Sequence, residues 1–131
     1  MAAKKKILLV EDQDDARAFM RVLVEGAGWE AQEAASSAAA LESARRDKPD
    51  AVVMDIMMPG GSGFQCILEM RAVEALKAVP ILVCTARFND KDEEQCRALG
   101  ADDFITKPFK NEDLCGKLRK LLEKSAGPRK S

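Results

Sequence analysis

Residues suited to chemistry on phosphorus recur in this chain at the ends of short apolar runs. Glu11-Asp12 follow Ile7-Leu8-Leu9-Val10, Asp55 follows Ala51-Val52-Val53-Met54, Thr85-Ala86 follow Ile81-Leu82-Val83-Cys84, and Thr106-Lys107-Pro108 close a short run from Asp103. The chain contains no histidine, which excludes histidine general bases, Ser-His-Asp triads and histidine metal ligands. Chemistry must therefore run on carboxylates, hydroxyls and lysine. Carboxylates brought to one rim repel and partly protonate unless a cation lies among them. With oxygen ligands only, magnesium suits such a rim, because it takes one or a few carboxylates plus waters and phosphate oxygens. A carboxylate beside magnesium can act as a nucleophile toward phosphorus and form an aspartyl phosphate. Lys107 would then pair one phosphoryl oxygen while Thr85 donates a hydrogen bond to another.

Bringing those residues together requires a fold that collects strand ends. Five short apolar runs alternate with helix-like stretches. A helix from Ala16 carries Phe19, Met20 and Leu23 at helical spacing and stops at Gly26 and Gly28. A weak second strand spans Trp29 to Ala34, and Ser36 or Ser37 then caps an alanine-rich helix that passes Leu41 and Ala44 and stops at Pro49. After the Met58-Pro59-Gly60-Gly61 turn a third helix is expected from about Phe64 to Leu76, and a fourth from about Lys91 to Leu99, closed by Gly100. Asp103 to Thr106 forms the fifth strand, and a last helix presents Leu114, Leu118, Leu121 and Leu122 on one face. Strands alternating with helices imply parallel pairing with right-handed crossovers, hence a doubly wound α/β fold. In such sheets ligands bind beyond the carboxyl ends of the strands, where the acidic and basic residues lie.

With 131 residues, of which 47% are apolar, the chain has the size and the material for one cored domain. We expect it over 1–124, with 125–131 as a disordered tail or linker stub. Lysine and arginine number 21 against 22 aspartates and glutamates, so no global field draws the chain to nucleic acid or an anionic membrane. No apolar run approaches the roughly 20 residues of a membrane span, and the start shows no export signal. Cys66, Cys84, Cys96 and Cys115 lack Cys-x-x-Cys spacing and read as reduced core residues, which fits a cytoplasmic protein. The lysines at 4–6 read as a solvated lead-in to the first strand, the methionines as packing, and Phe104 as a core aromatic.

The acidic pair Glu11-Asp12, the turn Asp55-Ile56-Met57-Met58-Pro59-Gly60-Gly61-Ser62-Gly63, Thr85-Ala86, and the segment from Gly100 to Phe109 together resemble the receiver domain of bacterial two-component response regulators, the CheY-like fold. The resemblance runs from about Lys5 to Lys124. It implies a flavodoxin-like sheet of strand order 2-1-3-4-5 with five helices, and a phosphoacceptor signalling module rather than an enzyme. By the same resemblance Asp55 accepts the phosphoryl group of a sensor histidine kinase or phosphotransfer protein. Asp12, Asp55 and the Met57 carbonyl would bind Mg2+, with Glu11 acting through water; Lys107 and Thr85 would serve catalysis. Thr85 and Phe104 would form the switch pair, Lys107-Pro108 a cis peptide, and the fourth helix, fifth strand and fifth helix the face for a downstream protein, with no direct contact to nucleic acid or membrane. Of the two residues flanking the site, Met57 is a poor hydrogen-bond acceptor and bulky enough to shield the approach of water, and Arg87 offers only donors, so a slowly decaying phosphoprotein is expected. The competing reading is a haloacid-dehalogenase-like phosphatase with Asp12 as nucleophile in Asp12-Gln13-Asp14. Against it, Asp15-Ala16 stand where that family's motif ends in Thr or Val, and Asp102-Asp103 precede Lys107, the reverse of its order. A dinucleotide site is weaker still, since the first strand leads into acid rather than a glycine-rich cradle.

Overall fold

A computed structural model of the chain describes residues 4–57, 63–86 and 89–126. The strands are β1 (Lys6–Val10), β2 (Glu30–Ala34), β3 (Ala51–Met54), β4 (Ile81–Thr85) and β5 (Asp103–Thr106), and the helices are α1 (Asp14–Gly26), α2 (Ser37–Arg46), α3 (Gly63–Ala72), α4 (Asp90–Leu99) and α5 (Asn111–Ala126). All pairs are parallel in the order β2-β1-β3-β4-β5, the doubly wound sheet expected from the sequence.

Strand side chains point alternately to the two faces, which divides the core. Leu8, Val10, Val52, Met54, Ile81 and Val83 pack with Ala40 and Ala44 of α2, Ile67 and Met70 of α3, and Cys96 of α4. On the other face Ile7, Leu9, Val53, Leu82 and Cys84 meet Met20 and Val24 of α1 and Leu114, Leu118, Leu121 and Leu122 of α5. β1, β3 and β4 are buried on both sides, so truncating a residue such as Leu8 or Leu82 to alanine would cost about 2–5 kcal/mol. β2 is the polar edge strand Glu-Ala-Gln-Glu-Ala, which explains its weak pattern.

The helix ends follow local chemistry. α1 starts at Asp14, two residues before the expected Ala16, because Asp14 and Asp15 favour the positive end of a helix. Ser36 is the cap of α2, accepting the Ala39 N–H at 3.1 Å, and α2 ends at Arg46, ahead of Pro49. α3 stops at Ala72 rather than at the expected Leu76. There the guanidinium of Arg71 takes the carbonyls of Leu76 (3.1 Å), Lys77 (3.1 Å) and Val79 (2.7 Å), holding the segment after Ala72 in turns. α4 begins at Asp90, one residue early, behind a capping box in which Asn89 and Asp92 satisfy each other's backbone N–H groups. Gly100 ends it at φ +115, a conformation that glycine adopts without steric cost. α5 takes in Ser125 and Ala126, placed in the tail by the sequence; 127–131 lie outside the described residues. No helix among the described residues is long and apolar enough to cross a membrane.

Candidate functional site

Backbone ladders run one residue past the strands and fix the residues that follow them. Glu11 N–H donates to Ala34 O at 3.1 Å, Asp55 N–H to Val10 O at 3.0 Å, and Lys107 N–H to Thr85 O at 2.9 Å. Glu11, Asp55 and Lys107 are thereby set by the sheet itself, at the carboxyl ends of β1, β3 and β5. Glu11, Asp12 and Asp55 each offer an oxygen within 4.8 Å of the others'.

The Lys107 ammonium joins two of these carboxylates. It is hydrogen-bonded to Glu11 Oε1 and lies 3.0 Å from Asp55 Oδ2. The other Asp55 oxygen, Oδ1, accepts the Met57 backbone N–H at 2.8 Å. Glu11 is 1% exposed and Asp55 7%, so their charges are poorly hydrated. Burial pushes the Glu11 carboxyl above its ordinary range, against the opposing hydrogen bond from Lys107. Burial also works against the charged form of Lys107, but hydrogen bonds to Glu11 and Asp55 outweigh it and raise its pKa. Buried oxygen donors with surplus negative charge fit a small hard cation, and these three residues are the ones that would hold magnesium. Bound there, the ion would neutralise charge on phosphoryl oxygens.

Thr85 is fully buried at the end of β4. Phe104 lies opposite Val83 in the β4–β5 register and packs beside it in the core, and Thr85, two residues beyond Val83, projects to the same face. The structure thus brings together Glu11, Asp12, Asp55, Lys107 and Thr85 at one rim, with Phe104 on the neighbouring strand. Met20, Met54 and Met70 are packing residues as expected, whereas the Met57 side chain is 55% exposed beside the cleft. Arg87 lies outside the described residues. The Lys107-Pro108 peptide is cis. All four cysteines are free and buried, and burial raises the Cys84 thiol to about 12.

Three supporting residues went unread in the sequence. Arg17 donates to Glu11 O (2.7 Å), Asp14 Oδ1 (2.7 Å) and Glu33 Oε1 (2.9 Å), fixing the loop that carries the acidic pair. A Cβ on Gly63 would stand 2.5 Å from Ile56 Cα and 2.9 Å from Asp55 O, so only glycine lets α3 begin against the backbone of the acidic turn. Arg71 also holds Gly100 O and Asp102 Oδ2, at 2.7 and 3.0 Å. Gly63 ends the quoted turn and was legible as a close approach; the arginines carry no pattern of their own.

A parallel sheet with three acids and a lysine at its carboxyl rim suits cation-assisted chemistry on a phosphoryl group, and the family it belongs to is one of phosphoaccepting signalling modules rather than classical enzymes. The response regulator receiver domain family matches residues 7–119, and the chain belongs to it. The phosphate regulon transcriptional regulatory protein PhoB of Pseudomonas aeruginosa is 35% identical over 124 residues, covering 95% of this chain and 54% of that protein. The KDP operon transcriptional regulatory protein KdpE of Escherichia coli is 35% identical over 118 residues, covering 90% and 51%. The chain spans about half the length of these curated relatives. The chemotaxis protein CheY4 of Vibrio cholerae superposes with TM-score 0.88 at 29% identity, over 91% of this chain and 99% of that one. The receiver domain of a Pseudomonas aeruginosa sensor histidine kinase, solved with magnesium coordinated in its active-site cleft, gives 0.85 at 32% identity, over 92% and 99%. Family membership sets aside the dehalogenase-like reading, and Lys107 faces Asp55 and Glu11.

Proposed function

We propose that Asp55 accepts a phosphoryl group from the phosphohistidine of a sensor histidine kinase or phosphotransfer protein, and that the chain signals by a conformational switch to a protein partner. The observation that carries this is the Lys107 ammonium held between Asp55 and Glu11 in a cleft of three carboxylates. Glu11, Asp12, Asp55 and the Met57 carbonyl are the magnesium ligands, Glu11 through water. The reacting oxygen belongs to Asp55, whose carboxylate is oriented by the Met57 N–H and by Lys107. Lys107 and Thr85 meet the phosphoryl oxygens, and the work of the site is positioning and charge neutralisation. The receiver proposed over 1–124 continues through the end of α5 at Ala126, and the residues beyond it act as a tail or linker.

Output runs through α4, β5 and α5. That face carries a groove of about 560 Å³ lined by Glu93, Phe104, Pro108, Lys117 and Lys120 among others. Asp90, Asp92 and Glu93 make the start of α4 acidic, while α5 brings both acids, Glu112 and Asp113, and bases, Lys117 and Lys120, to the groove. Such a mixed face suits a protein partner rather than nucleic acid or membrane, and the reduced thiols suit a cytoplasmic setting.

The test is incubation with a small acyl phosphate and magnesium, followed by intact mass and mapping of the labelled residue. One phosphoryl group on Asp55 is expected, with Asp55→Asn folded and unlabelled. Label on Asp12, or uptake by the Asp55→Asn variant at the parent's rate, would overturn the assignment.

A further inference from the structure

α4 meets the body of the protein along α3 and through the partly buried Leu99 against the core. Cys96 is its only fully buried side chain among the described residues. Its first turn is capped locally by Asn89 and Asp92, a bond that ties it to nothing else. Its far end is fastened, because Arg71 Nε and Nη2 donate to Gly100 O at 3.1 and 2.7 Å. Between the two ends a direct link reaches β5: the Arg97 guanidinium carbon lies 4.5 Å from the centre of the Phe104 ring. Glu93, one turn earlier, accepts Arg97 Nε at 3.4 Å and orients it.

We infer that Arg97 is a positioning residue for Phe104, a latch whose stacking holds the ring, and α4 with it, in the unphosphorylated arrangement. The inference rests on the proposed role of Thr85 and Phe104 as the switch pair. The Phe104 ring, which carries no hydroxyl, is partly buried against the core that contains Val83 and is faced by the Arg97 guanidinium. The cation is attracted to the ring face only while the two stay within about 6 Å. A ring drawn along its strand toward space vacated by Thr85 loses that attraction. Arg97 therefore biases the two-state element toward its resting position without touching the phosphoryl site. A half-exposed pair of this kind changes such an equilibrium by a factor of about two to five.

The test uses amide spectra of the nitrogen-labelled full chain. The parent without donor, and the parent with saturating acyl phosphate and magnesium, define two end points for α4 and β5. Arg97→Met keeps the apolar reach and removes the charge. Without donor its α4 and β5 amides should move along the line between the end points, toward the phosphorylated one, by a factor of about two to five in the equilibrium. Arg97→Lys should lie near the parent, and in a Phe104→Leu background Arg97→Met should add nothing. Spectra of Arg97→Met that match the parent, that leave the line, or that respond equally without the ring would overturn the latch. If the parent's end points coincide, the switch reading has failed, and donor-free hydrogen exchange of α4 decides the latch by itself. Arg97→Met and Phe104→Leu should then each speed exchange about two- to fivefold and the pair no further, whereas additive effects would refute it.

Discussion

Among the described residues Lys107 is the cation that contacts both Glu11 and Asp55, and replacing it with methionine removes that charge while leaving the stem's packing nearly intact. At 3.0 Å the Lys107–Asp55 attraction is about 5 kcal/mol at an effective dielectric of 20, and the Glu11 contact is of the same order. Most of that gross energy offsets the desolvation of the three charges, so the net loss on removing one partner of such a buried set is about 3–5 kcal/mol. Protonation sets a ceiling. Glu11, already raised above its ordinary 4.5 by burial, can take up a proton at about 1.4 kcal/mol per pH unit between that value and the solvent pH. At about pH 7.5 the penalty therefore cannot exceed about 4 kcal/mol.

The sign follows from the same carboxyl. A folded-state pKa raised above the unfolded one contributes stability that is present at low pH and lost as pH rises through the folded value. The variant's deficit should therefore shrink as pH falls from neutral toward 4.5, by up to about 1.4 kcal/mol per unit. Urea unfolding of parent and Lys107→Met in EDTA, at about pH 7.5 and about pH 5.5, measures the difference, and repeating it with magnesium tests whether a divalent cation substitutes for the ammonium. We expect a loss of about 3–4 kcal/mol at the higher pH, a smaller loss at the lower, and partial recovery with magnesium. A deficit below about 1 kcal/mol, or one that is the same at both pH values, would mean that Lys107 is not the counter-charge of this cleft.

Arg71→Ala strips donors from four carbonyls and the Asp102 carboxylate at a site only partly open to water, and should cost about 3 kcal/mol in urea unfolding, with Arg71→Lys recovering part. Gly63→Ala places a methyl against Ile56 and Asp55 backbone and should cost about 1–3 kcal/mol by the same measurement while slowing phosphoryl uptake, because the turn carrying Asp55 must shift. Burial holds Cys66, Cys84 and Cys96 at about 11, 12 and 11, so a thiol reagent at neutral pH should modify these residues only at the rate of unfolding; rapid labelling of the native protein would contradict their burial. Phosphate should be lost slowly in magnesium without a phosphatase, and faster from Met57→Asn combined with Arg87→Glu, which supply acceptors for an attacking water.

What was legible in the sequence is whatever repeats along a strand or ends one. Ile7 to Val10, Ala51 to Met54 and Ile81 to Cys84 are buried on both faces and so read as unbroken apolar runs. β2 reads faintly because it is the edge strand, where Glu30, Gln32 and Glu33 interrupt the apolar residues on both faces without being fully buried. Once the order of the strands is known, the residue after each strand is placed by one more ladder bond, which is why Glu11, Asp55 and Lys107 were found together from their positions alone. Helix ends were less legible wherever a side chain's contacts with backbone outside the helix decided them. The end of α3 is the clearest instance: the apolar spacing continues to Leu76 but the helix does not.

Arg71 shows why that kind of information escapes a linear reading. Its partners are backbone carbonyls of Leu76, Lys77, Val79 and Gly100, and a carbonyl is present at every position whatever the residue. Only Asp102, which also accepts the Ile81 N–H at 2.9 Å, marks the cluster by residue type, and it lies 31 positions away. The same holds for Arg17 on Glu11 O and for Arg97 on Phe104: each arginine is one exposed-looking charge among 21 basic residues until the fold places its planar fork. The carboxylates and the lysine of this site are held by the sheet and can be read from strand ends. The groups that tie down the surrounding loops and α4 are long cations whose targets carry no sequence pattern, so only the folded chain shows them.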